Sequence, residues 1–345
     1  MYIKRILVAI ALLGLVAMGI FSYFVYKTVL IPNTAFDQEK AQVFIPTSTN
    51  KKEFLELIEP LVKDLKTLEK VADQKKYTQN IRPGRYILNK GMNNMEIIDV
   101  LRSKNQPVSV KFNNQERLEN LASQVSKQIE ADSLSLINAM QDSEFLNEND
   151  FSLSNALAMY IPNTYEFYWN TSAEEFRDRM KKEYERFWNE RRTLAAENLG
   201  LTKQQVLSLA AIVQKETTKI EERPRVAGVY LNRLKINMLL QADPTVIYAK
   251  KHREEDFNQV IKRVLYKHLE IDSPYNTYMY PGIPEGLIAM PDISSIDAVL
   301  FPEKHNYLYF VADTSNFGYH KFSKNLTEHN RNKQQYINWL SQQNL

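Results

Sequence analysis

The longest apolar run comes first. "MYIKRILVAIALLGLVAMGIFSYFVYK" carries Lys4 and Arg5 and then no charge from Ile6 to Tyr26, enough residues to cross a bilayer's hydrocarbon core as a helix. A cleaved signal has a shorter core and a small-residue cut site; here Phe21, Tyr23, Phe24 and Tyr26 continue to Lys27 in the manner of an interfacial belt. The pattern predicts an uncleaved tail and transmembrane anchor over 1–27. Positive charge ahead of the span keeps the short tail cytoplasmic and puts the rest outside the cytoplasm, as a single-pass protein of the cytoplasmic membrane.

Beyond a polar tether, "IPNTAFDQ", the pattern changes period. "AQVFIPTSTNKKEFLELIEPLVKDL" reads as a short strand, a turn and an amphipathic helix, and "RPGRYILNKGMNNMEIIDVLRSK" as a strand around Tyr86 to Leu88 with a helix from about Asn94. A strand-helix-helix-strand-helix unit of this size is a small α+β module, so 28–110 is read as tether plus module. "PVSVKFN", residues 107–113, is a further strand and a boundary. From Arg117 to Phe145 the leucine and isoleucine spacing is helical; "MYIPNTYEFYWN" breaks it, and one long charged helix is expected from Ala173 to Asn198, stopped by Gly200. That makes 111–198 a helical connecting region and 199–345 the last domain. The fold class is α+β.

The last domain opens with an anomaly. In "LTKQQVLSLAAIVQKE", Thr202 and Gln205 form a capping box that starts a helix. Val206, Leu209, Val213 and then Glu216 follow at three- and four-residue steps, which places a carboxyl on the core-facing stripe. A carboxyl held against apolar neighbours has its pKa raised, as a general acid working near neutral pH requires. The alternative is an ion pair with Lys215, Lys219 or Arg223 at a fraying helix end. "ERPRVAGVYLNRLKINM" then restarts a helix with Pro224 in its first turn and Val226, Val229 and Tyr230 on its core face. "SPYNTYMYPGIPEGLIAMPD" concentrates hydroxyls, amides and aromatic rings, the groups that stack on sugars and bond their hydroxyls and acetamides; an inward-packed structural loop has the same composition.

Composition removes several classes. The basic residues are interleaved with acidic ones, as in "KKEYERFWNERR", and the net charge is only +3, so no nucleic-acid stripe is indicated. Without cysteine there is no thiol for a lipid, a disulfide or a thiolate zinc site. His252, His268, His305, His320 and His329 show no metallopeptidase spacing, and no Gly-rich phosphate loop or serine-hydrolase elbow is present. No metal and no cofactor is expected.

Four pieces then resemble the YceG-like family, the endolytic murein transglycosylases of the MltG type: "IVQKET"; "ERPRVAGVYLNRLKINMLLQADPTVIYA"; "SPYNTYMYPGIPEGLIAMP"; and "YLYFVAD" with "HKFSKNLTEHN". The resemblance implies an N-terminal membrane helix, a LysM-like module within 28–110 and a mixed α/β catalytic domain over 199–345. It implies a lytic enzyme that cuts nascent peptidoglycan strands internally between N-acetylmuramic acid and N-acetylglucosamine, leaving 1,6-anhydromuramyl ends, in wall assembly and strand-length control. Glu216 would be the acid/base, and Thr217 would present a hydroxyl beside it. Gln241, Asp243, Thr245, Ser273, Tyr275, Asn276, Thr277 and Tyr278 would line the cleft. Glycan strands, the bilayer and peptidoglycan synthases are the implied partners. The chain departs from the family pattern at "GIPEGLI" and "LAMYIPNTY". Two other readings stand: a glycoside hydrolase with Asp243 as second carboxylate, and a non-catalytic wall-binding membrane scaffold.

Overall fold

A computed structural model describes residues 2–342. The chain divides into two units. The first holds residues up to Val110 together with Ser126–Ala131 and Tyr165–Ser172; the second holds Lys111–Val125, Asp132–Thr164 and the chain from Ala173 onward.

The first unit begins with α1 (Tyr2–Val29), none of whose residues is buried. Its mean hydropathy is high enough to cross a membrane; its side chains are exposed from Tyr2 to Lys27, and Val29 at its end packs against the core of the unit. There follow β1 (Lys40–Ile45), α2 (Lys51–Ile58), α3 (Leu65–Gln74), β2 (Gly84–Asn89) and α4 (Asn94–Ser103), the order expected from the pattern. β1 and β2 pair antiparallel from Lys40 opposite Asn89 to Ile45 opposite Gly84. Asn50 and Asn93 start α2 and α4 through capping boxes closed by Glu53 and Glu96, which satisfies backbone N–H groups that a helix start leaves free. Val43, Ile45, Phe54, Leu68, Tyr86, Leu88, Ile97 and Leu101 form one buried core between sheet and helices.

Strand β3 (Pro107–Phe112) pairs with β4 (Asn163–Tyr168), and the division between the units falls within both strands. Between them lie α5 (Leu118–Val125), α6 (Ser133–Met140) and α7 (Ser143–Glu148), so the helical stretch is cut into three, with Asp132 and Asp142 as N-caps of the last two. The single charged helix expected over 173–198 is likewise two: α8 (Ala173–Phe187) and α9 (Glu190–Leu199). Trp188 turns inward to 5% exposure, and Asn189, in extended conformation, accepts from the Arg192 N–H and caps the second helix.

The remainder is α10 (Lys203–Glu216), α11 (Arg223–Lys235), α12 (Asp243–Arg253), α13 (Tyr266–Leu269), α14 (Ile293–Leu300), the antiparallel hairpin β5 (Tyr309–Ala312) and β6 (His320–Ser323), and α15 (Leu326–Gln342). Every residue of α10 from Val206 to Val213 is buried, which makes it the central helix of the unit, apolar nearly all round. α11 and α14 pack against it. Gly228 lets α11 approach the 303–305 segment: a Cβ there would lie 2.7 Å from the Glu303 carbonyl oxygen and 2.6 Å from His305 Nε2.

Candidate active site

α10 begins where the capping box put it, with Thr202 accepting from the Gln205 N–H and the Gln205 side chain accepting from the Thr202 N–H. Its other end is fixed by a polar network. The Gln214 side-chain oxygen Oε1 accepts from the Asp292 N–H, the Asp292 carboxylate caps α14 through the Ser295 N–H, and Arg223 donates to both Asp292 oxygens at 2.8 Å. Burial opposes ionisation of Asp292, yet these bonds hold it below the usual carboxylate range. The last residue of α10 is therefore anchored on both sides, and that residue is Glu216.

None of the cations near Glu216 in sequence pairs with it. Lys215 reaches Glu116 at 2.7 Å, Arg223 is engaged by Asp292, and Lys219 lies over the Tyr319 ring at 4.8 Å. Glu216 Oε1 instead accepts from the Tyr230 hydroxyl at 2.8 Å. Removal from water pushes the carboxyl up to about 7; the Tyr230 bond works against this, the charge of Asp243 adds to it, and His320 and Arg233 pull weakly the other way. The C-terminal end of a helix is also the end that disfavours a negative charge.

The half-buried Glu216 lines a cavity of about 350 Å³ with Tyr230, Arg233, Gln241, Asp243 and Tyr278, closed by Tyr309 and Phe310 of β5 and by His329, Asn330 and Lys333 of α15. Tyr278 donates to Asp243 at 2.6 Å. Gln241 sits in the left-handed region, φ +49°, a conformation costing a non-glycine residue on the order of 1 kcal/mol; its N–H donates to the Thr277 carbonyl at 3.0 Å. Arg233 is buried and has no carboxylate at hydrogen-bond distance among the described residues. It donates to the carbonyls of Leu239, Leu240 and Leu308, tying α11, the turn before α12 and the entry to β5 together. Burial disfavours its charge, though not enough to neutralise an arginine.

Of the residues singled out in the sequence, Glu216, Gln241, Asp243 and Tyr278 share this cavity. The others lie elsewhere. Thr245 donates to the Ala242 carbonyl and lies 2.9 Å from the Thr277 hydroxyl, which accepts from the Ala242 N–H. Asn276 donates to the carbonyls of Leu269 and Ile271, and buried Ser273 accepts from the Tyr275 N–H. All four bond to backbone: Thr245 and Thr277 join the Gln241–Asp243 turn to the tyrosine-rich loop, and Asn276 and Ser273 brace that loop internally. Tyr275 packs on Tyr248 at 4.7 Å and lines a separate cavity of about 580 Å³ with Arg117 and His252. Thr217, 3% exposed, accepts from the Lys219 N–H and bonds Glu222; its hydroxyl is not on Glu216.

Tyr230, Arg233, Tyr309, His329 and Lys333 enter the site without having been marked as functional. A buried tyrosine hydroxyl needs a partner, and that was the available signal for Tyr230. Glu216 also borders a second cavity of about 300 Å³, lined by Thr217, Asp313, Phe317, Tyr319, His320, Tyr336 and Trp339 among others. There Glu222, 5% exposed, accepts from the His320 backbone N–H at 2.7 Å and bonds its ring Nδ1 at 2.8 Å. Among the described residues no group of three or more His, Cys, Asp or Glu could hold a metal ion.

Comparison with known proteins gives consistent matches. The profile described as the YceG-like family matches residues 43–335. A Bacillus subtilis protein named endolytic murein transglycosylase is 34% identical over 280 residues, covering 76% of this chain and 75% of its own. A Streptococcus pneumoniae protein of the same name is 27% identical over 98% of this chain, which spans 65% of that relative's length. A 2.6 Å crystal structure of a yceG-like protein from Listeria monocytogenes superposes with a TM-score of 0.57 at 28% identity, covering 85% of this chain and 98% of that one.

Proposed function

Since the chain belongs to the YceG-like family, we propose that it is a membrane-anchored endolytic peptidoglycan lytic transglycosylase with Glu216 as its general acid/base. The observation that carries this is the state of Glu216: a carboxyl at a cavity wall, unpaired with any cation, bonded by Tyr230 and raised to about 7. Such a group is present in both protonation states near neutral pH, as a residue that first gives and then takes a proton must be.

In the first step Glu216 protonates the glycosidic oxygen between N-acetylmuramic acid and N-acetylglucosamine as the bond to C1 breaks. Because Tyr230 donates to Oε1, the acid proton is carried by Oε2. The carboxylate so formed is stabilised by the Tyr230 hydroxyl and the Arg233 charge. It then removes the proton from the muramyl C6 hydroxyl as that oxygen closes on C1, giving the 1,6-anhydro end. The nucleophile belongs to the substrate, so no second carboxylate has to activate water.

Two features support the location. The uncovered apolar face of α1 fits a bilayer, and Lys4 and Arg5 ahead of it favour a catalytic unit outside the cytoplasm. The β1-α2-α3-β2 arrangement with an antiparallel sheet supports a LysM-like module that holds glycan.

The test is mass spectrometry of the ends released from uncrosslinked glycan strands by the full chain in detergent, beside Glu216→Gln and Asp243→Asn. Anhydromuramyl ends lost only in Glu216→Gln are expected. Asp243 shares the cavity with Glu216, which favours hydrolysis as the second reading; reducing ends, lost in both variants, would establish it instead.

A further inference from the structure

The cavity beyond Glu216 is unused by the chemistry above. It and the first cavity have one lining residue in common, Glu216 itself. Both are walled by the same two elements. β5 gives Tyr309 and Phe310 to the first and Ala312 to the second. α15 gives Leu326, His329, Asn330 and Lys333 to the first and, at continuing three-residue steps, Tyr336 and Trp339 to the second. From Leu326 to Trp339 the helix rises on the order of 20 Å while these three-residue steps wind round it, so its first turns wall one cavity and its last turns the other.

The two ends differ in chemistry. The first is polar and charged, with Arg233 and Lys333 facing Asp243 and Glu216 across it. The second is aromatic: Tyr336 and Trp339 stack one helical turn apart at 6.3 Å and 19°, both half-buried, while Phe317 at the hairpin tip is 86% exposed and Tyr319 stands beside it. Thr217, Asp313 and His320 are among the polar residues of the lining. Flat apolar faces edged by neutral and polar hydrogen-bonding groups suit a pyranose ring, whose axial C–H face is apolar and whose rim carries hydroxyls and an acetamide. Tyr336 and Trp339 lie past residue 335, where the family match ends.

We propose that this second cavity is a sugar subsite for the same glycan strand, in which Trp339 and Phe317 supply stacking faces and which places at least one ring on the opposite side of Glu216 from the Arg233 cavity. This rests on the transglycosylase reading. A strand held on both sides of the acid is cut internally, because neither cavity has to accommodate a chain end.

Binding and cutting are read separately. The full chain in detergent carries Glu216→Gln so that strands bind without turnover, and its tryptophans are Trp169, Trp188 and Trp339. Titration with uncrosslinked peptidoglycan strands should change the emission, and the change should vanish with Trp339→Phe. Trp339→Ala and Phe317→Ala should each weaken binding roughly three- to tenfold, the loss of one stacking contact, while Trp339→Tyr keeps most of the affinity. Phe317 is exposed, so its truncation leaves folding intact and guards against a mere loosening of α15. Unchanged emission with strands bound, or both alanine variants binding as the parent does, overturns the subsite. With Glu216 restored, absence of anhydromuramyl ends beside normal binding strikes the catalytic reading and leaves the subsite standing.

Discussion

Replacing the proposed acid should make the protein more stable, and only above a defined pH. Glu216 has its carboxyl raised from an ordinary 4.5 to about 7 on folding. A carboxyl raised in this way is neutral in both folded and unfolded states at low pH, where it carries no penalty. As pH rises through 4.5 the unfolded chain ionises first, and folding then has to keep a proton or bury a charge. The penalty grows until the folded group also ionises near 7 and is constant above that. In full it is on the order of 3 kcal/mol, and because the side chain borders a water-accessible cavity, screening leaves about 2 kcal/mol. Glu216→Gln keeps the shape and the oxygen that accepts from Tyr230, but has no charge to bury. At pH 8 its unit should therefore unfold about 4 to 8 °C above wild type, and at pH 4 the two should coincide. Thermal unfolding of full chain and variant in the same detergent at both pH values measures this. An equal difference at both, or a less stable variant at pH 8, would refute the idea that Glu216 is a strained acid.

Two further outcomes depend on the same geometry. Tyr230→Phe keeps the ring against Phe310, 6.0 Å away, and removes only the bond that lowers the Glu216 pKa; the alkaline limb of strand cutting should move up by about one pH unit, and a limb that stays put or moves down contradicts the assignment of that bond. Gly228→Ala drives a methyl into the Glu303 carbonyl and the His305 ring, so a loss of about 1 to 3 kcal/mol in stability is expected, with slower cutting as β5 shifts; thermal unfolding and end formation at 25 °C check it.

What could be read from the sequence was what is local and periodic. The first unit's order of strands and helices and the placing of Glu216 on a buried stripe both follow from spacing within one element. The break between α8 and α9 was hidden because the charged pattern runs straight through it; its signal, Asn189 after an inward tryptophan, is a single residue. The polar cluster of Thr245, Ser273, Asn276 and Thr277 looked like a sugar-binding surface because composition records which groups exist and not where they point. Tyr230 and Arg233 were legible as helix residues only. Their hydroxyl and guanidinium act across the turn between α10 and α11 and toward β5, and no window of sequence contains those distances. The α15 stripe was illegible for the same reason.

Glu216 stands at the last position of a helix buried in the centre of its unit, while the elements that wall its cavities, the β5–β6 hairpin and α15, are partly exposed and joined to each other by the Asn332 side chain donating to Ser323 at 2.9 Å. On the proposed readings, the residue that cuts and the surface that grips are then separate parts. On that reading, substitutions at Tyr336 and Trp339, the α15 residues that border the second cavity, should change where along a polymer the cut falls while leaving the wall of the Arg233 cavity intact.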